Sequence, residues 1–429
     1  MNRDSLTQVI RAFVGRELPG GHERTLRLPT ETNKVIALAG VRRSGKTFLL
    51  FDTMRRLVDQ GIDRRQLLYL SFEDDRLQPL HQKQLDLVVR CHREMFPELA
   101  KARLYLFLDE VQNAPGWERW VRRLHDTEPV AVFVTGSSQD LLLRDVSSAM
   151  RGRSVTFEVF PLSFAEFLVF RGLPKQPEAP AEVEIVRKAL LEYLQWGGFP
   201  EVVLAEPAMK PLILEEYASV MLHRDLAERR GIRNRELMRA LLRHCYRNTA
   251  SLFGYGKVMR DLRSLGLDFS KNTLFRHMSA LEDGGHAFLL PIHDPSLRKQ
   301  AHNPKKLHVV DTGLINAFLP GAERDVGRKL ETIVFLEARR RQRHCHYLAS
   351  DNEVDLCDAE GRWFVNTCWN LDDPDTLARE MAAMAGARTS LPGAAGALVY
   401  QECTSPAGAA FVGGIPAWRW LLQKVPGGP

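Results

Sequence analysis

The sequence predicts an α/β protein that opens with a parallel sheet carrying helices on both faces. Three observations predict it. Short apolar runs alternate with helix-like stretches, a glycine-rich turn joins the first run to a helix, and two acids close a later, wholly apolar run.

The first run, Lys34-Val35-Ile36-Ala37-Leu38-Ala39, reads as a buried parallel strand, and Phe48-Leu49-Leu50-Phe51 continues an apolar helix face. Between them, Gly40-Val41-Arg42-Arg43-Ser44-Gly45-Lys46-Thr47 satisfies the phosphate-loop pattern G-x-x-x-x-G-K-[ST] at every fixed position. Such a turn aims backbone N–H groups and the positive end of the helix dipole at an anion. Gly40 and Gly45 permit the tight path. Lys46 is suited to the β- and γ-phosphates of ATP, and the Thr47 hydroxyl to Mg2+.

Leu104-Tyr105-Leu106-Phe107-Leu108 reads as a strand buried on both faces, ending in Asp109-Glu110. Open α/β sheets place ligands at the carboxyl ends of their strands. Asp109 is suited to hold Mg2+ through water, and Glu110 to polarise the attacking water. Gln66 to Phe72 and Val130 to Val134 supply further strands of the sheet. After the latter come Ser137 and Ser138, candidates either for a contact near the γ-phosphate or for a helix cap. Arg153 reads as a surface arginine or as one that stabilises charge on a transferring phosphoryl group, in cis or from a neighbouring subunit.

At 429 residues, 45% hydrophobic and 26% charged, the chain has the composition of a soluble multidomain protein. No signal peptide and no membrane-spanning window are read in it, and its six scattered cysteines suit a cytoplasmic protein without a disulfide partner. His344-Cys345-His346 lacks the second ligand cluster that a zinc site needs. A net charge of +6 is compatible with a polyanionic partner.

These motifs, with Leu108-Asp109-Glu110-Val111-Gln112, Thr135-Gly136-Ser137-Ser138, and Gly152-Arg153 ahead of Pro161-Leu162-Ser163-Phe164-Ala165-Glu166-Phe167, carry a family resemblance. The chain resembles the bacterial and archaeal AAA-type ATPases that bear a large, uncharacterised C-terminal region. Later marks agree: Gly197-Gly198-Phe199-Pro200-Glu201, Arg224-Asp225, Asp311-Thr312-Gly313-Leu314, Glu353-Val354-Asp355 and Pro416-Ala417-Trp418-Arg419-Trp420. The resemblance implies an AAA+ core, a helix-turn-helix unit and a terminal fold like the PD-(D/E)xK nucleases. It also favours a nucleotide-sensing Arg153.

The expected domains are a P-loop core over 1–171, a linker and helical lid over 172–235, a winged helix-turn-helix over 236–320 and the nuclease-like domain over 321–429. The proline-rich stretch from Gly172 to Pro180 marks the first boundary. Arginines crowd the segment from Arg229 to Arg247. Beyond it, Tyr255 to Leu265 and Ser270 to Asp283 read as two helices, with Ser270 as N-cap. Leu274, Met278 and Leu281 would face the core, leaving Lys271, Asn272, Phe275 and Arg276 outward, the layout with which a second helix enters a DNA major groove. A winged helix used only for protein packing is the alternative. In the terminal domain Glu331 and Asp355 match the first two acids of the nuclease pattern, whereas Asn366-Thr367-Cys368 falls where a carboxylate and a lysine are required. The expected nuclease site is therefore degenerate.

The leading expectation is a Mg2+-dependent ATPase that binds DNA and remodels or moves it as a homo-oligomer. A nucleotide-dependent signalling switch, with the later domains binding protein, is the second. An active metal-dependent nuclease is the third.

Overall fold

In the computed structural model, strand β1 (Val35–Ala39) sends Val35, Ala37 and Ala39 into one apolar cluster and Ile36 and Leu38 into another. This period of two, apolar at every position, is what burial on both faces of a sheet demands. The structure describes residues 2–136, 150, 152–228, 232–319, 325–341, 344–349, 353–404 and 414–423. They fall into two compact units, Met1–Phe160 and Pro161–Pro429.

In the first unit β1, β2 (Leu67–Ser71), β3 (Leu104–Asp109), β4 (Val130–Gly136) and β5 (Ser154–Glu158) form one parallel sheet in the order β2-β3-β4-β1-β5. Helices α1 (Arg3–Val14), α3 (Asp86–Met95) and α4 (Trp117–Thr127) contribute to the cluster on one face. On the other face α2 (Lys46–Asp59) buries Leu49, Leu50, Phe51 and Met54, and Phe107 stacks on Phe133 with centroids 4.6 Å apart. Leu6, Val9, Ile10 and Phe13 give α1 its buried stripe at helical spacing.

The second unit begins with α5 (Phe164–Phe170), whose Ser163 and Glu166 form a reciprocal cap. Helix α5 packs on α6 (Pro180–Trp196), so the core boundary expected at residue 171 lies inside this unit. Next come α7 (Pro200–Leu204), α8 (Lys210–Val220) and a π-helical stretch, Met221–Glu228.

Helix α9 (Arg235–Arg247) leads into strand β6 (Ser251–Phe253), helices α10 (Tyr255–Ser264) and α11 (Lys271–Asp283), and strand β7 (Ala287–Leu290). A short α12 (Leu297–His302) precedes β8 (Lys305–Val309), which pairs antiparallel with both β6 and β7. Ser270 caps α11 by accepting from the Thr273 N–H, as its sequence position predicts.

After α13 (Gly313–Phe318) and α14 (Val326–Arg341), a five-stranded sheet closes the fold. Strands β9 (Cys345–Leu348), β10 (Val354–Asp358) and β11 (Trp363–Asn370) run antiparallel, while β11, β12 (Ala395–Glu402) and β13 (Gly414–Pro416) run parallel. Helix α14 packs against β11, α15 (Pro374–Ser390) joins β11 to β12, and α16 (Ala417–Leu422) ends the described chain.

Two of the glycine-bearing marks prove to be halves of one lock. The buried carboxylate of Asp311 accepts from the Gly198 N–H at 2.7 Å and the Gly313 N–H at 2.8 Å. Gly197, at φ 76°, passes so close that a Cβ there would lie 1.9 Å from Asp311 Oδ1. Only glycine fits. Burial pushes the Asp311 carboxyl up to about 6, against the pull of the backbone donors.

Because that value lies above the ordinary 3.8, the folded state holds the proton more tightly, and stability falls as pH rises between the two. We expect wild type to lose up to about 3 kcal/mol across this window relative to Asp311→Asn. Urea unfolding of both proteins at pH 4, 5, 6 and 7 measures the difference; parallel pH profiles would remove Asp311 from this role.

Candidate active site

The phosphate-loop sequence sits where β1 ends and α2 begins, with Gly45 as the residue before the helix. Gly40 lies flush against the neighbouring strand end, and a Cβ there would stand 2.1 Å from Val159 O. The glycine is thus required by close backbone approach. Arg24, itself buried, donates to Ser44 O at 2.8 Å and to Phe160 O at 2.9 Å, bracing the loop from beneath. Lys46 is 5% exposed and its Nζ donates to Gly40 O and Val41 O at 2.9 and 3.0 Å. Arg42 pairs with Glu73 at 3.2 Å, Val41 is buried, and Arg43 is exposed with a left-handed φ of 62°.

Asp109 gathers the site together. Its Oδ2 accepts from Thr47 Oγ1 at 2.8 Å and from the Tyr69 hydroxyl at 2.9 Å, while its Oδ1 accepts from Thr135 Oγ1. The Thr135 oxygen in turn accepts from the Glu110 N–H at 3.0 Å. Burial raises the Asp109 carboxyl above its ordinary range, and the Glu110 charge adds to that, while the three hydroxyl donors oppose it. Glu110 adopts φ 54°, a left-handed conformation that a non-glycine residue holds only when its surroundings enforce it. Its carboxylate accepts from Gln112 Nε2.

The residues present suit a magnesium nucleotide. Thr47 and Asp109 are hard oxygen donors already within hydrogen-bond reach of each other. The Ser44 hydroxyl, fully buried in the loop, has no hydrogen-bond partner among the described residues, which fits a phosphate oxygen as its missing acceptor.

The predicted residues Gly40 to Thr47, Asp109 and Glu110 are thereby brought to one end of the sheet. Arg153 is not. It precedes β5, and its carbonyl accepts from the Val35 N–H at 2.8 Å, where the chain enters β1. A strand of this length separates it from the loop by about 16 Å, and its guanidinium bonds Asp126 at 2.8 Å. Arg153 thus lies at the end of the sheet opposite the phosphate loop. Ser137 lies outside the described residues. Sequence reading missed Tyr69 and Thr135; Thr135 ends an apolar strand beside the one carrying Asp109, and that adjacency was its signal.

In the second unit Lys271, Asn272, Phe275 and Arg276 are exposed on α11, and Leu274, Met278 and Leu281 are buried, as their spacing predicts. Arg276 lines a cavity of about 610 Å³ with Arg233, Asn234 and Asp283. Arg235, Arg239, Arg243 and Arg247 are exposed at four-residue intervals and form a ridge along α9.

Glu331 and Asp355 do meet. A lysine from outside that segment reaches them: Lys306, on β8, places its Nζ 2.6 Å from Glu331 Oε1 and 2.7 Å from Asp355 Oδ1.

Residues 32–168 match the AAA domain family, and residues 187–325 match a domain of unknown function. An uncharacterized protein of Methanocaldococcus jannaschii is 31% identical over 361 residues, covering 82% of this chain and 78% of the relative. An uncharacterized protein of Haemophilus influenzae is 28% identical over 311 residues, covering 72% of this chain and 76% of that one. Among solved structures, a Walker-type ATPase of Pyrococcus abyssi aligns with 74% of this chain and 95% of its own at 15% identity, with a TM-score of 0.42. No helix among the described residues is long and apolar enough to cross a membrane.

Thr135→Val keeps the shape of that side chain while leaving the buried Asp109 carboxylate and Glu110 N–H each one partner short. It should lower stability by about 2 kcal/mol and weaken magnesium-nucleotide binding at least ~10-fold. Chemical unfolding and titration with a fluorescent nucleotide measure both; wild-type values in each would show that Thr135 does not position the acids.

Proposed function

That this chain belongs to the AAA-type P-loop ATPases, in one family with the uncharacterized M. jannaschii protein, is the premise from which we propose its activity. It is a Mg2+-dependent ATP hydrolase that binds DNA and couples hydrolysis to remodelling or moving it, as a homo-oligomer. The observation that carries the reading is the continuous set of contacts from Thr47 through Asp109 and Thr135 to Glu110.

Bound Mg2+ would offset the charge that develops on the phosphate oxygens. Thr47 and Asp109 would hold it. Lys46 exchanges two carbonyl acceptors for an anionic phosphate oxygen, a stronger, charge-assisted bond. Glu110 orients and polarises the attacking water from a backbone position fixed by the Thr135 hydroxyl. Arg153 serves the nucleotide of a neighbouring subunit, which makes the assembly part of the active site.

Support for DNA comes from the second unit. Strands β6, β7 and β8 with helices α9 to α11 follow the order of a winged helix-turn-helix. Lys271, Asn272 and Arg276 stand at the N-terminal half of its second helix, where base and phosphate contacts are made. The arginine ridge on α9 supplies charge for backbone contacts. Exposed Phe275, packed on Tyr255 with centroids 3.9 Å apart, favours the second reading, in which this face docks a protein.

ATP turnover measured with single-stranded, duplex and branched DNA separates the two. Stimulation by one form, with salt-sensitive binding whose slope falls by about 2 in Arg239→Ala/Arg243→Ala, is the expected result. Turnover indifferent to every form, with no salt-sensitive complex, would leave the switch reading.

Glu110→Gln and Arg153→Ala should each slow hydrolysis at least ~1000-fold, while mixtures of the two variants recover part of it. Where an Arg153→Ala subunit supplies the acid and a Glu110→Gln neighbour the arginine, the site has both groups intact. Absence of recovery in mixtures shown to co-assemble would exclude Arg153 from acting between subunits.

A further inference from the structure

A buried lysine stands at the centre of the terminal α/β lobe. Lys306 is among the largest fully buried side chains of the described residues, and its side chain is 2% exposed. Its Nζ lies 2.6 Å from Glu331 Oε1, 2.7 Å from Glu353 Oε1 and 2.7 Å from Asp355 Oδ1. Of the three protons of the ammonium, one is donated to Asp355 Oδ1, and Glu331 and Glu353 stand at ion-pair distance from the same nitrogen. Burial works against the charged lysine, but Asp355, Glu331 and Glu353 outweigh it and hold the group well above its ordinary value.

The surroundings fix the acids rather than leaving them open. Asp355 Oδ2 accepts from the Thr367 N–H at 2.7 Å and from Thr367 Oγ1 at 2.5 Å, and the Asp355 N–H donates to Asn366 Oδ1 at 3.0 Å. Asn366 in turn donates to Glu380. Thus Asn366, at the strand position where a metal-dependent nuclease carries an acid, and its neighbour Thr367 act as clamps on Asp355. His308, two residues along β8, is buried with Nε2 3.9 Å from Glu331 Oε1 and stacks on Phe335; burial keeps it neutral. It adds no second cation.

Three carboxylate oxygens stand 2.6, 2.7 and 2.7 Å from one point, somewhat wider than the roughly 2.0–2.6 Å at which Mg2+ and Ca2+ hold oxygen donors. Here the point is filled. We propose that Lys306 is the resident cation of this lobe, its ammonium occupying the position at which Glu331, Glu353 and Asp355 would otherwise bind a divalent metal ion. While the lysine is in place the lobe takes up no such ion and activates no water with one. The lysine is also what makes the acids tolerable: with it removed, three carboxylates face one another, two of them mostly buried.

The test is Mn2+ binding by the full chain without nucleotide, counted from the paramagnetic resonance of free Mn2+, with thermal unfolding alongside. Wild type and Asp355→Asn should bind the same number of ions. Lys306→Met should melt lower than wild type, bind one ion more, and regain about 5 °C in Tm with saturating Mn2+. Adding Asp355→Asn to Lys306→Met should abolish both gains. A wild-type ion lost in Asp355→Asn would overturn the proposal, as would a folded Lys306→Met that gains none. Should Lys306→Met fail to fold, Lys306→Gln/Glu353→Gln removes one charge of each sign and is read identically, the extra ion then resting on Glu331 and Asp355.

Discussion

One carboxylate, that of Asp109, ties four elements of the first unit to a single point. It sits at the end of β3 and is bonded by Tyr69 from β2, Thr135 from β4 and Thr47 from α2. A buried charge is tolerable only when its hydrogen-bonding capacity is met. The three hydroxyls therefore hold the strand ends and the first turn of α2 in one register. The loop, the left-handed Glu110 and the sheet order become parts of one electrostatic arrangement. Loosening any donor would raise the cost of the acid itself.

The second unit uses buried charge twice, in different ways. Asp311 is satisfied by backbone N–H groups from two distant turns, so it serves as a lock between segments of chain. Lys306, on β8, is paired with side chains alone: Glu331 on α14, Asp355 on β10 and Glu353 at the entry to β10. The first arrangement fixes the path of the backbone. The second fixes which ion sits among the acids.

What could be read in the sequence was whatever is local in the chain. The phosphate loop, the paired acids after β3, the Ser270 cap and the outward face of α11 depend on neighbours a few residues apart, and their spacing carried them. Tyr69, Thr135 and Lys306 depend on which strands lie side by side, which no spacing specifies. Gly197 and Asp311 were visible as marks, yet their partnership spans more than a hundred residues. Helix α1 belongs with the local features, since Leu6, Val9, Ile10 and Phe13 repeat at helical intervals. The nuclease pattern looks for its lysine on the strand of Asn366-Thr367-Cys368, whereas the cation that reaches Glu331 and Asp355 comes from β8, through an adjacency in space.

The guanidinium of Arg24 has a further consequence. One of its nitrogens holds Ser44 O in the phosphate loop, and the other holds Phe160 O, the last residue of the first unit. The group is planar and rigid, with no slack between its two ends. The loop and the point where the chain leaves this unit are thus coupled like two ends of a short strut. Neither can be repositioned alone without breaking a buried bond.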